Sequence, residues 1–149
     1  MNKIAIQEQD FDLTTEVQRI RGNKTDIGAV VSFLGTVRDL ENERIEKMTL
    51  EHYPGMTEKA LSSIIDQAQD RWELGEVSII HRVGELQISD QIVLVITTSK
   101  HRKSAFDACE FIMDFLKTQA PFWKKEHTEH ESRWVEAKQS DELEKNRWR

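Results

Sequence analysis

A chain of 149 residues, 38% hydrophobic and 32% charged, is long enough for one well-formed core and short for two domains, so a single domain spanning 1–149 is expected. The formal net charge of -6 disfavours nonspecific binding to nucleic acid or to an acidic membrane, so an anionic ligand needs a local basic cluster. No run of about 18 apolar residues offers a membrane span, the opening MNKIAIQEQD is too polar for a secretory signal, and the single cysteine excludes an internal disulfide; a soluble cytoplasmic protein is expected.

Leu13, Val17 and Ile20 fall at helical spacing, with Asp12, Thr14 or Thr15 to cap the helix and Gly22 and Asn23 to close it. Gly28 to Arg38, GAVVSFLGTVR, is β-branched and aromatic and predicts a strand largely buried on both faces. The charged stretch Asp39 to Glu46 predicts an exposed connection. Lys47 to Tyr53 then alternates, with Met48, Leu50 and His52 on one side, as a half-buried strand does, and Pro54-Gly55 supplies the turn that ends it.

From Thr57 the period becomes helical: Ala60, Leu61, Ile64, Ile65, Ala68 and Trp72 form one stripe, and Gly75 is the expected stop. Val77 to Val83 and Gln91 to Thr98 predict two more strands joined through Gly84 to Asp90, the second apolar enough to be central. Ser104 with Asp107 resembles a capping box opening a long helix, whose apolar face carries Phe106, Cys109, Met113 and Leu116. Cys109 on that face reads as a buried, inert thiol. Pro121 biases Ala120 away from helical angles, so the helix stops near Thr118 or Gln119 and the chain re-enters as a strand at Phe122 and Trp123. Arg133 to Ala137 predicts a strand and Ser140 to Trp148 a short polar helix. The fold class is α+β: two long helices on a mostly antiparallel sheet, two layers deep, with a smaller β element beside it.

Three constellations offer chemistry. The turn at Pro121 brings Lys117 near Lys124 beside Phe122 and Trp123, an amine pair against aromatic walls. Lys100, His101, Arg102 and Lys103 form a basic run between a strand end and a helix start, where ligands often sit, and Arg38 closes the Gly28 strand as a candidate phosphate clamp. His127 and His130 with Glu126, Glu129 and Glu131 have metal-like spacing in what reads as an exposed loop lacking an orienting framework. His52 and His81, inside strands, read as hydrogen-bonded packing residues. With no Walker loop, dinucleotide-binding glycine pattern or nucleophile elbow, the residues alone reach a compact α+β domain with a candidate phosphate-sized basic pocket.

Six strings add a resemblance: GAVVSFLGTVRD from Gly28, LEHYPGMTEKAL from Leu50, HRVGEL from His81, SKHRKSAF from Ser99, FIMDFLKTQAPFWKKE from Phe111 and RWVEAK from Arg133. Together they resemble the large catalytic subunits of molybdopterin synthase, in family order and over roughly Asp26 to Lys138. The resemblance implies a hammerhead-like fold and a sulfurtransferase of molybdenum cofactor biosynthesis. A small ubiquitin-like sulfur-carrier subunit would donate sulfur from its C-terminal thiocarboxylate to cyclic pyranopterin monophosphate, forming the dithiolene, with no metal or organic cofactor required. It implies catalytic roles for Lys117 and Lys124 and substrate contacts from Thr36, Val37, Arg38, His101, Arg102, Lys125 and Glu126, with Phe33 and Met113 as pocket walls. It also implies a homodimer within a heterotetramer whose pocket takes a basic residue from the opposite protomer. Lys138 is the candidate, keeping an arginine's charge without its fork geometry.

Overall fold

The structure is a computed structural model and describes residues 1–39, 44–128, 131–135 and 146–148. Its first element is a strand the sequence reading does not anticipate, β1 (Lys3–Gln7), built on Ile4-Ala5-Ile6 within the polar opening segment. Period-two geometry sends Ile4 and Ile6 to one face and Ala5 to the other, where each side meets a different apolar cluster. Helix α1 (Leu13–Arg21) follows, capped by Asp12, whose side chain accepts the Thr14 N–H at 2.9 Å, and closed by Gly22 at φ 49.

The main sheet has the order β1-β4-β6-β2, with β2 at Ala29–Thr36, β4 at Val77–Arg82 and β6 at Gln91–Ser99. β1 runs parallel to β4, and the other pairs are antiparallel. The central strands are the most apolar, as full coverage on both sides requires. Strand β2 departs from expectation: among the described residues it has a sheet neighbour on one side only, and Ser32, Phe33 and Leu34 are exposed rather than buried on both faces. Gly28 precedes it because a Cβ there would lie 2.2 Å from the Lys100 carbonyl oxygen, which ties the start of β2 to the end of β6.

Two long helices, α2 (Met56–Arg71) and α3 (Arg102–Thr118), cover one face of this sheet. Leu61, Ile64, Ile65 and Ala68 of α2 pack with Ala108, Cys109, Ile112 and Met113 of α3 over Val77, Ile79, Val93 and Val95. Truncating a fully buried member such as Ile112 to Ala costs about 2–5 kcal/mol. On the opposite face Ile20 of α1 closes over Ile80, Leu94 and Ile96. Burial pushes the Cys109 thiol up to about 12, which keeps it protonated and inert.

Both long helices correct details of the reading. α2 ends at Arg71 with Trp72 as its C-cap, not at Gly75; that glycine answers a packing demand, since a Cβ there would lie 2.6 Å from Thr98 Oγ1. α3 begins at Arg102 with His101 as its cap, and Asp107 pairs with Lys103 at 3.3 Å instead of completing a capping box at Ser104. Phe106 is 59% exposed, because the buried stripe runs through Ala105, Ala108, Cys109 and Ile112 and leaves it to one side.

The second sheet is antiparallel, β5-β3-β7-β8, with β3 at Ile45–His52, β5 at Gly84–Leu86, β7 at Phe122–Thr128 and β8 at Ser132–Val135. Met48 and Leu50 point inward onto Val37 and Leu86, as the alternation predicts. The short strand β5 is a second unanticipated element. Most of the predicted C-terminal helix, residues 140–145, lies outside the described residues. Trp148 lies inside them, edge-on to Trp72 and Phe111 with centroids 5.6 Å away in each case.

Candidate functional site

Where the C-terminal end of α3 meets both sheets, a cavity of about 780 Å³ opens. α3 contributes Met113, Leu116, Lys117 and Thr118, and the edge of β2 contributes Phe33, Gly35 and Thr36. Val37, Arg38 and Asp39 follow, with Phe122, Lys124 and Glu126 from β7, Arg133 to Val135 from β8, and His81 from β4. Arg38, Lys117, Lys124 and Arg133 set four cationic side chains against the carboxylates of Asp39 and Glu126, so a chain of net charge -6 carries a locally positive cavity. Its size suits a small organic anion, and its Phe33, Met113, Leu116 and Phe122 walls suit a flat ring.

The lysine pair follows from local structure. Lys117 occupies the last turn of α3, where a cation complements the helix dipole. After Thr118 the amides of Gln119 and Ala120 both donate to the Phe115 carbonyl, at 2.8 and 3.2 Å, and the chain turns at Pro121. Fully buried Thr57 holds that turn from outside: its hydroxyl donates to the Pro121 carbonyl at 3.1 Å and accepts the Tyr53 N–H at 3.0 Å. β7 then leaves as a paired strand, and period two places Lys124 and Glu126 toward the cavity. Lys125 is not among the lining residues, and its Nζ lies 5.6 Å from the Trp134 ring centroid.

Among the other residues named from the resemblance, Phe33, Met113, Thr36, Arg38 and Glu126 line the cavity. Arg38 Nη1 also donates to the Asp39 carbonyl at 3.2 Å, and Glu126, 8% exposed, has Arg133 Nε 3.7 Å away. Val37 lines the cavity as an anchor: its N–H donates to the Asp90 carbonyl at 2.9 Å and its carbonyl accepts the Ser89 N–H at 2.8 Å. His101 and Arg102 are not brought to this cavity. They sit exposed at the opposite end of α3, about 22 Å from Lys117 along the helix axis. Lys138 lies outside the described residues.

His127, one member of the metal-like spacing, is engaged at both ring nitrogens, by the hydroxyls of Thr49 at 3.0 Å and Ser132 at 2.8 Å. Glu129 and His130 are outside the described residues. Among the lining residues whose site role the sequence reading missed are Asp39, Arg133 and His81, the last of them buried. Burial, with Lys124, Lys117 and His52 nearby, lowers its pKa to about 4 against the opposing pull of the Arg82 carbonyl, so the ring is neutral at pH 7. The available signal was a polar residue at the end of an otherwise apolar central strand.

Fold and site define a class: an α+β protein with an apolar-walled, cation-served cavity at the junction of two sheets. The chain belongs to the MoaE protein family, whose model matches residues 6–119. A molybdopterin synthase catalytic subunit from Ralstonia nicotianae is 55% identical over 99% of this chain and 85% of its own length. That from Escherichia coli is 52% identical over 98% of this chain and 97% of its own. Among solved structures, a molybdopterin biosynthesis MoaE protein from Burkholderia ambifaria superposes with a TM-score of 0.85 at 53% identity, covering 99% of this chain and 98% of that one.

Proposed function

We propose that this chain is the cytoplasmic catalytic subunit of a molybdopterin synthase and transfers sulfur from the C-terminal thiocarboxylate of a small ubiquitin-like subunit to cyclic pyranopterin monophosphate. The observation that carries the reading is the meeting of Lys117, Lys124 and Arg38 in one apolar-walled cavity. The reaction brings an anionic sulfur to an anionic substrate and opens a cyclic phosphate, so negative charge develops on the departing oxygen. Ammonium and guanidinium groups offset the first repulsion and stabilise the second charge; a single well-placed donor contributes about 3 kcal/mol. Lys117 acts at the reacting centre as proton donor or acceptor, while Lys124 and Arg38 hold the phosphate or the thiocarboxylate. Glu126, Thr36 and the backbone of Lys125 complete the substrate contacts.

His101 and Arg102 enter the scheme through a second copy of the chain. They lie too far from Lys117 to serve the same protomer's cavity, so a homodimer, flanked by two small subunits, supplies them across its interface. Lys138 takes its cross-subunit role in the same arrangement. No metal or organic cofactor takes part; the partner supplies the sulfur.

Reconstitution tests the reading. The purified chain, mixed with thiocarboxylated small subunit and cyclic pyranopterin monophosphate, is expected to yield the dithiolene product, detected by mass after trapping. Partner binding without product would reduce the chain to a binding module, and equal affinity for simple nucleotides would point to an unrelated phosphate site.

A further inference from the structure

The His81 ring is fixed from several sides. Its strand is hydrogen-bonded into the centre of the main sheet, with Ile6 and Val93 as its register partners. Its face stacks on Phe122 from the second sheet, centroids 3.9 Å apart and planes 15° from parallel. Its Nδ1 lies 2.8 Å from the Arg82 carbonyl oxygen. A carbonyl can only accept, so Nδ1 carries the proton and Nε2 is left with a bare lone pair.

The cavity is the space open to that lone pair. His81 lines it, and Nδ1 makes the ring's one hydrogen bond among the described residues. Among the described residues no side-chain nitrogen or oxygen is fully buried without a partner, so Nε2 retains accessible surface, and the cavity is the space that His81 lines. The surrounding cations suit phosphate oxygens, which are acceptors and repel a lone pair. Nε2 suits the opposite kind of group, a neutral N–H or O–H. Burial, seconded by Lys124, Lys117 and His52, keeps the ring unprotonated, so it stays an acceptor at neutral pH.

We propose that His81 is a further substrate-positioning residue, whose Nε2 accepts a hydrogen bond from an N–H or O–H of the substrate's heterocycle while the cations hold its phosphate. This assignment rests on the function proposed above and deepens it: charge selects the phosphate, and one neutral acceptor selects and orients the ring. His81→Phe keeps the stack on Phe122 and removes the lone pair, whereas His81→Gln returns an acceptor oxygen close to the Nε2 position.

The test measures binding of cyclic pyranopterin monophosphate and of inorganic pyrophosphate to the full chain and both variants, with KM and kcat from reconstituted turnover. His81→Phe should bind the substrate about tenfold more weakly and raise KM with little change in kcat. Pyrophosphate affinity should stay the same, and His81→Gln should recover most of the loss. Undiminished substrate binding by His81→Phe, or a parallel loss of pyrophosphate, would overturn the assignment. If His81→Phe does not fold, nitrogen NMR of the wild-type imidazole decides. The Nε2 resonance should move toward its hydrogen-bonded position with substrate and not with pyrophosphate, and an unmoved resonance would overturn the proposal. Wild-type chain that fails to bind the substrate overturns the proposed function and this assignment together, whereas insensitivity confined to the variants overturns this assignment alone.

Discussion

His81 and Glu76 are held away from their ordinary pKa values in ways that make acid stability separable into two stages. His81 is lowered from 6.5 to about 4, chiefly by burial, so the folded state binds fewer protons than the unfolded chain between those values. Stability is whole above about pH 6.5 and falls as pH drops toward 4, by about 2–3 kcal/mol. For Glu76 burial pushes upward, but hydrogen bonds from Lys24 and the N-terminal ammonium prevail and hold it near 2, below its ordinary 4.5. Its stabilisation is present above about pH 4.5 and is lost on the way down to 2, at about 1–2 kcal/mol once screening of the exposed amines is allowed for. Denaturant midpoints measured against pH should show both declines, with His81→Phe flattening the upper one and Glu76→Gln the lower. A single decline unaffected by either substitution would contradict the assignment.

At the scale of elements, the α3-to-β7 turn decides where the two lysines stand, and Thr57 of α2 is its outside brace. Thr57→Val keeps the volume but leaves the Tyr53 N–H without its partner and removes the donor to the Pro121 carbonyl, at a cost of about 1–3 kcal/mol. Turnover should fall further than stability alone explains, because the Lys117-Lys124 spacing loosens; calorimetry beside kinetics separates the two effects. This turn was legible in the sequence because Pro121 acts locally, on the residue before it and on its own missing N–H. Strands β1 and β5 were not legible. They are five and three residues long, and pairing with β4 and β3 holds them rather than strong local preference. His81 was legible as a strand residue but not as a site residue, since its neighbours Phe122, Lys117 and Lys124 come from far along the chain.

For the whole molecule, the basic set named from sequence divides between two ends of one helix. Lys117 and Lys124 line the cavity, while His101 and Arg102 stand at the far end of α3, a separation that a string of residues cannot display. If a second copy supplies the far pair, Lys117→Ala and Arg102→Ala chains should complement each other. A randomly mixed dimer population should recover about a quarter of wild-type turnover, because each mixed dimer holds one intact site. Mixtures no more active than the separate variants would show that each site is built within one chain. The most direct measurement of all is single-turnover formation of the dithiolene by Lys117→Ala, with affinity for the thiocarboxylated partner measured on the same preparation. The account predicts at least a 100-fold slower step with partner binding retained. Product formed at the wild-type rate would contradict it.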